Sequence, residues 1–201
     1  MPLRPIVRLG HPALRTRAKP VAVEDAVAPA TQALIDDMVE TMREAHGVGL
    51  AAPQVGVGLQ LFVYEAVSEA ASDPGSREET AGLRVVLNPM ITPQPGEMVQ
   101  DWEGCLSIPD LRGLVPRHPA VRIRGLDREG KPVDYLEKGF AARIVQHEFD
   151  HLNGVVFLDR MRDFKSLAFY QEWEEFLAEG GEEQGQVAAD APVPAAVDHE
   201  L

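Results

Sequence analysis

The stretch Gln146-His147-Glu148-Phe149-Asp150-His151-Leu152 holds the residue types best suited to chemistry. Positions four apart on an α-helix lie on one face, a turn apart, so His147 and His151 point the same way. Two imidazoles so placed can reach a single metal ion. Glu148 follows the first histidine and leans toward the same place without having to be a ligand. In this H-E-x-x-H arrangement the histidines bind metal and the glutamate handles a water proton. So short a pattern also arises by chance on ordinary helices, so the surroundings have to support it. Ile144, Val145 and Leu152 are apolar, which predicts a buried helix, and buried histidines and glutamates need partners.

A catalytic site of this kind needs a third protein ligand and an open position. The longer pattern H-E-x-x-H-x-x-G-x-x-H runs as far as Gly154, but its last position is Phe157, which cannot bind metal. Downstream, Glu172 or Glu174 stands at a workable separation for a thermolysin-like site. Upstream, Cys105 is the only cysteine, directly after Gly104 in a segment read as loop. A thiolate with two imidazoles leaves one position open and favours Fe(II), Co or Zn over Mg. A lone cysteine is also commonly just a small buried hydrophobe. The chemistry favours Cys105 over Glu172 and leaves both standing.

The rest of the chain has to position these groups. At 201 residues with 45% hydrophobic content, a single globular domain with a real core is expected, and no apolar run approaches a membrane span. A net charge of −13 argues against broad nucleic-acid binding. One cysteine excludes an internal disulfide and fits a reducing compartment. The N-terminus carries prolines and arginines without an apolar core, so it does not read as a secretory signal.

Residues 1–24 read as an extended arm, and from about Pro29 the stripe Leu34, Ile35, Met38, Val39, Met42 predicts a core helix with Thr31 as N-cap and Gly47 as its stop. Gly47-Val48-Gly49-Leu50-Ala51-Ala52-Pro53-Gln54 fits neither a phosphate loop nor a dinucleotide fingerprint. It reads instead as bare backbone that another chain can approach, with the Gln54 amide beside it. Strands are expected at Leu59–Ala66, Leu83–Leu87, Glu97–Trp102, Ala120–Leu126 and around Val133–Tyr135, with loop at Asn88-Pro89 and at the prolines 93 and 95. The stretch Ser68–Gly82 reads as a mobile surface insertion. A last helix from about Asp163 to Ala178, with Leu167, Tyr170, Trp173 and Leu177 as its core stripe, precedes an acidic tail over residues 181–201 that composition marks as disordered. These elements predict an α+β fold: mostly antiparallel sheets around a central H-E-x-x-H helix, with an N-terminal and a C-terminal helix, in one catalytic domain over residues 1–180.

Three segments in this order, GVGLAAPQ (47–54), EGCLSIP (103–109) and QHEFDHL (146–152), resemble the signature motifs of peptide deformylase. IVRLGHPALR (6–15) and LVPRH (114–118) are also similar to that family, and the likeness covers about residues 5–165. The resemblance implies that Cys105, His147 and His151 hold one divalent metal, Fe(II) being expected and Zn, Ni or Co possible. It implies hydrolysis of the formyl group from the N-terminal formyl-methionine of nascent polypeptides, with release of formate. Glu148 becomes the general base, and Gln54 with the Leu106 backbone N–H becomes the oxyanion donor pair. Val48, Gly49, Glu103, Gly104 and Ile144 become candidate substrate contacts, with Arg117 as a charge partner for Glu103. A match beginning almost at Met1 leaves no room for a transit peptide, so a bacterial cytoplasmic enzyme is expected, possible work near the ribosomal exit tunnel included, with no DNA or membrane partner. Two other outcomes stay open: a thermolysin-like metallopeptidase using Glu172, and a non-catalytic ribosome-associated metal-binding module.

Overall fold

The computed structural model describes residues 3–65 and 82–178. The acidic tail and all but the last residue of the Ser68–Gly82 insertion lie outside these residues.

Helix α1 (Pro29–Glu44) begins with a proline, whose fixed φ suits the first turn and whose missing N–H is not needed there. That start places Thr31 inside the helix, buried, and leaves Ala28 as N-cap without a side-chain bond, so Thr31 is not the cap. Beyond the helix end, His46 rather than Gly47 takes the left-handed conformation, at φ 53°. The expected stripe from Leu34 to Met42 is buried.

Five antiparallel strands form the larger sheet: β1 (Gly49–Ala51), β2 (Leu61–Glu65), β3 (Leu83–Pro93), β6 (Ala120–Leu126) and β7 (Pro132–Lys138), in the order β1-β2-β3-β6-β7. A smaller sheet has the order β4-β5-β8, with β4 (Val99–Cys105), β5 (Ile108–Arg117) and β8 (Ala168–Phe169). Alternation along β2 decides the layers. Leu61 and Val63 join Leu34, Ile35, Met38 and Met42 of α1 in one cluster. Phe62 and Tyr64 point the other way, into a cluster with Ala142, Ile144, Val145 and Leu152. Those last four belong to α2 (Gly139–Leu152), so the larger sheet is covered by α1 on one face and by α2 on the other. Packed against it, α2 is buried along most of its length. The smaller sheet closes over its C-terminal end through Cys105, Ile108, Val115, Val156 and Phe157.

Three strand readings change. β3 does not stop at Leu87: it passes Asn88 at φ 50° and Pro89, with a register shift between Leu87 and Met90, and runs on to Pro93. An irregularity of this kind is where a strand tolerates proline. β4 extends past Trp102 to Cys105, and β5 lies in a segment from which no strand was expected. The C-terminal helix also differs. Helix α3 (Tyr170–Phe176) is only seven residues long, follows β8, and contains no buried residue. The expected core stripe lies half-buried instead, with Trp173 against Trp102 of β4 at 6.2 Å between ring centroids. No helix among the described residues is long and apolar enough to cross a membrane.

Candidate metal centre and its cavity

Two elements bring the ligands together. Helix α2 aligns His147 and His151, whose ring centroids are 5.0 Å apart. Strand β4 ends at Cys105, which pairs with Ile108 across the two-residue turn Leu106-Ser107. Cys105 is therefore the last residue of a strand rather than a loop residue, which fixes its sulfur better than a loop would. Ligand atoms of Cys105, His147 and His151 all lie within 4.8 Å of one another, and Sγ is 3.3 Å from His151 Nε2. Phe157, at the position of a third histidine, stacks on the His147 ring instead. Glu172 is exposed on α3 and does not belong to this group, so the thermolysin-like arrangement does not form.

The set fits a metal ion. His147 Nδ1 is 3.0 Å from Glu103 Oε2, which leaves its other nitrogen for a cation, the usual outer support of a ligating histidine. Burial alone would push both imidazoles down. At His147 the bonds to Cys105 and Glu103 outweigh burial and raise its pKa well above the ordinary value. At His151 burial prevails, helped by the neighbouring charges of His147 and Arg117, and the pKa falls.

Behind His147 lies a bonded network. Arg117 holds Glu103 with both prongs, at 2.8 and 3.0 Å, and Arg143 Nη1 adds a bond at 2.9 Å. Arg117 also reaches Asp150 at 2.6 Å, and Arg160 grips the same carboxylate at 2.6 and 3.0 Å. Burial would raise the Glu103 pKa, but the Arg117 and His147 bonds hold it far below the carboxylate range. Arg143 and Asp150 were not singled out from the sequence. Their signal was an arginine and an aspartate on a helix whose neighbours are apolar, because charges there require partners.

Glu148 has the opposite surroundings. It is buried and its Oε2 has no partner. A Cβ at Gly49 would stand 2.5 Å from Oε1, so only glycine leaves room for this carboxylate. Burial is the main cause that pushes its pKa up to about 7. Gln54 is oriented by the Ala51 N–H, which donates to Oε1 at 2.8 Å; Nε2 is thereby turned toward Cys105 Sγ at 3.6 Å and Ser107 Oγ at 3.4 Å. Leu106 stands in the tight turn, where its N–H is not used by the strand ladder.

A cavity of about 460 Å³ opens onto these groups. Val48, Gly49, Gln54, Glu103, Gly104, Cys105, Leu106, Ile144, His147 and Glu148 all line it, whereas His151 lies behind them, fully buried. Glu103 lines it with both oxygens already engaged, by Arg117 and by His147. Phe140, Trp102 and Arg112 complete walls that sequence reasoning missed. Gly49 belongs to β1, the edge strand of the larger sheet, where an extended peptide can add as a further strand. The site thus joins a metal-ligand triad, a poised carboxylate and a peptide-sized groove.

A sequence profile of the family described as polypeptide deformylase matches residues 3–166. Peptide deformylase 1 of Nitrosomonas europaea is 41% identical over 167 residues, covering 83% of this chain and 92% of its own. Peptide deformylase 2 of Pseudomonas putida is 44% identical with the same coverage of both. Among solved structures, the Met-Ala-Ser-bound class I type b peptide deformylase of Acinetobacter baumannii superposes with a TM-score of 0.71 at 36% identity, over 80% of this chain and 99% of that one.

Proposed function

This chain belongs to the polypeptide deformylase family, and we propose that Glu148 is the base that drives its hydrolysis of formyl-methionyl peptides to formate and a free amine. The observation that carries the role is a buried carboxylate with an unpartnered oxygen, beside Gly49 and next to the Cys105–His147–His151 triad. When held by those three ligands, one divalent metal supplies Lewis acidity, lowering the pKa of water and polarising a carbonyl. The thiolate and imidazole donors suit Fe(II), Co, Ni or Zn better than Mg, and within these Fe(II) is the ion expected from the family.

Glu148 removes a proton from the attacking water as the new C–O bond forms at the formyl carbon. It then delivers that proton to the methionine nitrogen as the C–N bond breaks, so one group serves both steps. Gln54 Nε2 and the Leu106 N–H donate to the oxygen that gains charge between them. The peptide lies along Gly49, with Gly104 opposite, and Val48 and Ile144 flank its methionine side chain. Glu103 orients His147 without touching the peptide. Residues 1–180 form one catalytic unit, working on nascent chains in a bacterial cytoplasm near the ribosomal exit.

Formate release from formyl-Met-Ala tests this reading. Formate with an intact Met-Ala product is expected; internal cleavage of a longer peptide in its place means a peptidase, and no product from either means a binding protein.

A further inference from the structure

The two groups assigned to the oxyanion sit on separate parts of the fold. Gln54 lies in the short 3₁₀ turn Ala52–Val55 that follows β1 of the larger sheet. Leu106 lies in the turn between β4 and β5 of the smaller sheet. Among the described residues no strand pairing joins these segments, and the Gln54 side chain bridges them only at 3.4 Å to Ser107 Oγ and 3.6 Å to Cys105 Sγ. A third piece of backbone spans both. In the N-terminal arm the Val7 N–H donates to the Gln54 carbonyl and the Leu9 N–H to the Ser107 carbonyl, each at 2.9 Å. Arg8 between them is exposed, and among the described residues its N–H makes no backbone bond, the alternation of a strand edge. Gln54 and Ser107 are buried, so these two carbonyls have no water in the arm's place. The arm is anchored on either side of the two bonds. Arg4 reaches Thr41 and Asp37 of α1 at 2.9 and 3.1 Å, and Leu14 is fully buried.

Resting on the deformylase reading, we propose that Val7 and Leu9 are positioning residues for the oxyanion donors, tying Gln54 and the Leu106-Ser107 turn together through their backbone N–H groups. Holding the Ser107 carbonyl leaves a two-residue turn little freedom, so the Leu106 N–H keeps one direction. Holding the Gln54 carbonyl fixes the backbone from which the Gln54 amide extends. Donors kept at one spacing are what a developing oxyanion requires, and a misplacement of about 1 Å can cost about 10²-fold in rate. The Leu9 side chain is 44% exposed and packs little, so the role belongs to its backbone.

The test removes each N–H from the metal-loaded enzyme by Val7→Pro and Leu9→Pro. In both, kcat on formyl-Met-Ala is expected to fall about 10–100-fold, with KM within about twofold. Metal per chain and the Kd for Met-Ala, which has no formyl oxygen, stay as in the unmodified enzyme. Arg8→Pro places the same ring between them without removing a bond, and keeps its kcat. In a Gln54→Ala background Val7→Pro adds less than about twofold, because the donor it positions is already gone. Should a proline variant not fold, an ester at the same position, made with the α-hydroxy acid in place of Leu9, removes the N–H alone and the same fall in kcat is expected. Unchanged kcat in both variants, an equal loss in Arg8→Pro, or a fully additive loss on Gln54→Ala overturns the positioning role and leaves the deformylase reading intact. No formate from the unmodified enzyme overturns the reading beneath it, and the positioning role with it.

Discussion

Glu103 and Glu148 stand on either side of the same histidine, at 6% and 4% exposure, and the protein treats them in opposite ways. Both oxygens of Glu103 are held by Arg117, Arg143 and His147, and its pKa is driven down. Glu148 keeps one oxygen without any partner, and its pKa is driven up to about 7. Burial is common to both, so partners decide. A carboxylate with every oxygen bonded is a permanent charge that sets geometry. One buried without partners can gain and lose a proton, as a general base must. In the proposed roles, the bonded carboxylate of β4 builds the site and the unbonded one of α2 operates it.

That division can be broken by mutation. The largest effect is expected for Glu148→Ala, which keeps its metal yet loses about 10²–10⁴-fold in kcat, the usual share of a general base. A variant retaining most of its turnover would place the base elsewhere. Cys105→Asp replaces a soft donor by a hard one, cutting activity and moving metal preference toward harder ions; elemental analysis beside activity detects both changes. On the bonded side, Glu103→Gln leaves Arg117 and Arg143 facing a neutral group. It is expected to cost about 3–5 kcal/mol in denaturant unfolding, as for a broken buried pair, and about 10–100-fold in metal affinity by competition with a chelator.

Smaller and more graded effects follow from pH. Glu148 works only when ionised, so kcat/KM falls as pH drops below about 7, and a bound cation beside it moves that limb lower. Glu103 has a depressed folded value. Its stabilisation is complete above the ordinary carboxylate value of 4.5 and is lost as pH falls below it. Melting temperature against pH should therefore decline on the acid side in the unmodified protein, and more shallowly in Glu103→Gln.

What the sequence made legible follows the same division. The operating residues sit in short motifs whose letters state their chemistry, and the structure brings Gln54, Cys105, His147 and Glu148 around one cavity. Helix α1 was readable because its stripe repeats at 3.6 residues and is buried, and α2 because apolar Ile144, Val145 and Leu152 flank the H-E-x-x-H letters. Strand β5 was not, because its Pro109, Gly113 and Pro116 look like turn signals, and only pairing with β4 and β8 makes it a strand. Pro89 misled in the same way inside β3. Helix α3 has an apolar period yet buries nothing fully: its aromatics Tyr170 and Trp173 lie half-buried against Arg112 and Trp102. Of the network behind His147 the Glu103–Arg117 pair was expected and forms, whereas no local pattern announces that residues 143, 150 and 160 join it.

The most direct test of the division is kcat per bound metal, measured side by side for Glu148→Gln and Glu103→Gln at saturating metal. Glu148→Gln should be fully loaded and depressed at least about 100-fold, while Glu103→Gln, once loaded, should keep kcat within about tenfold of the unmodified enzyme. The reverse order, with the loaded Glu103 variant dead and the Glu148 variant active, would contradict it.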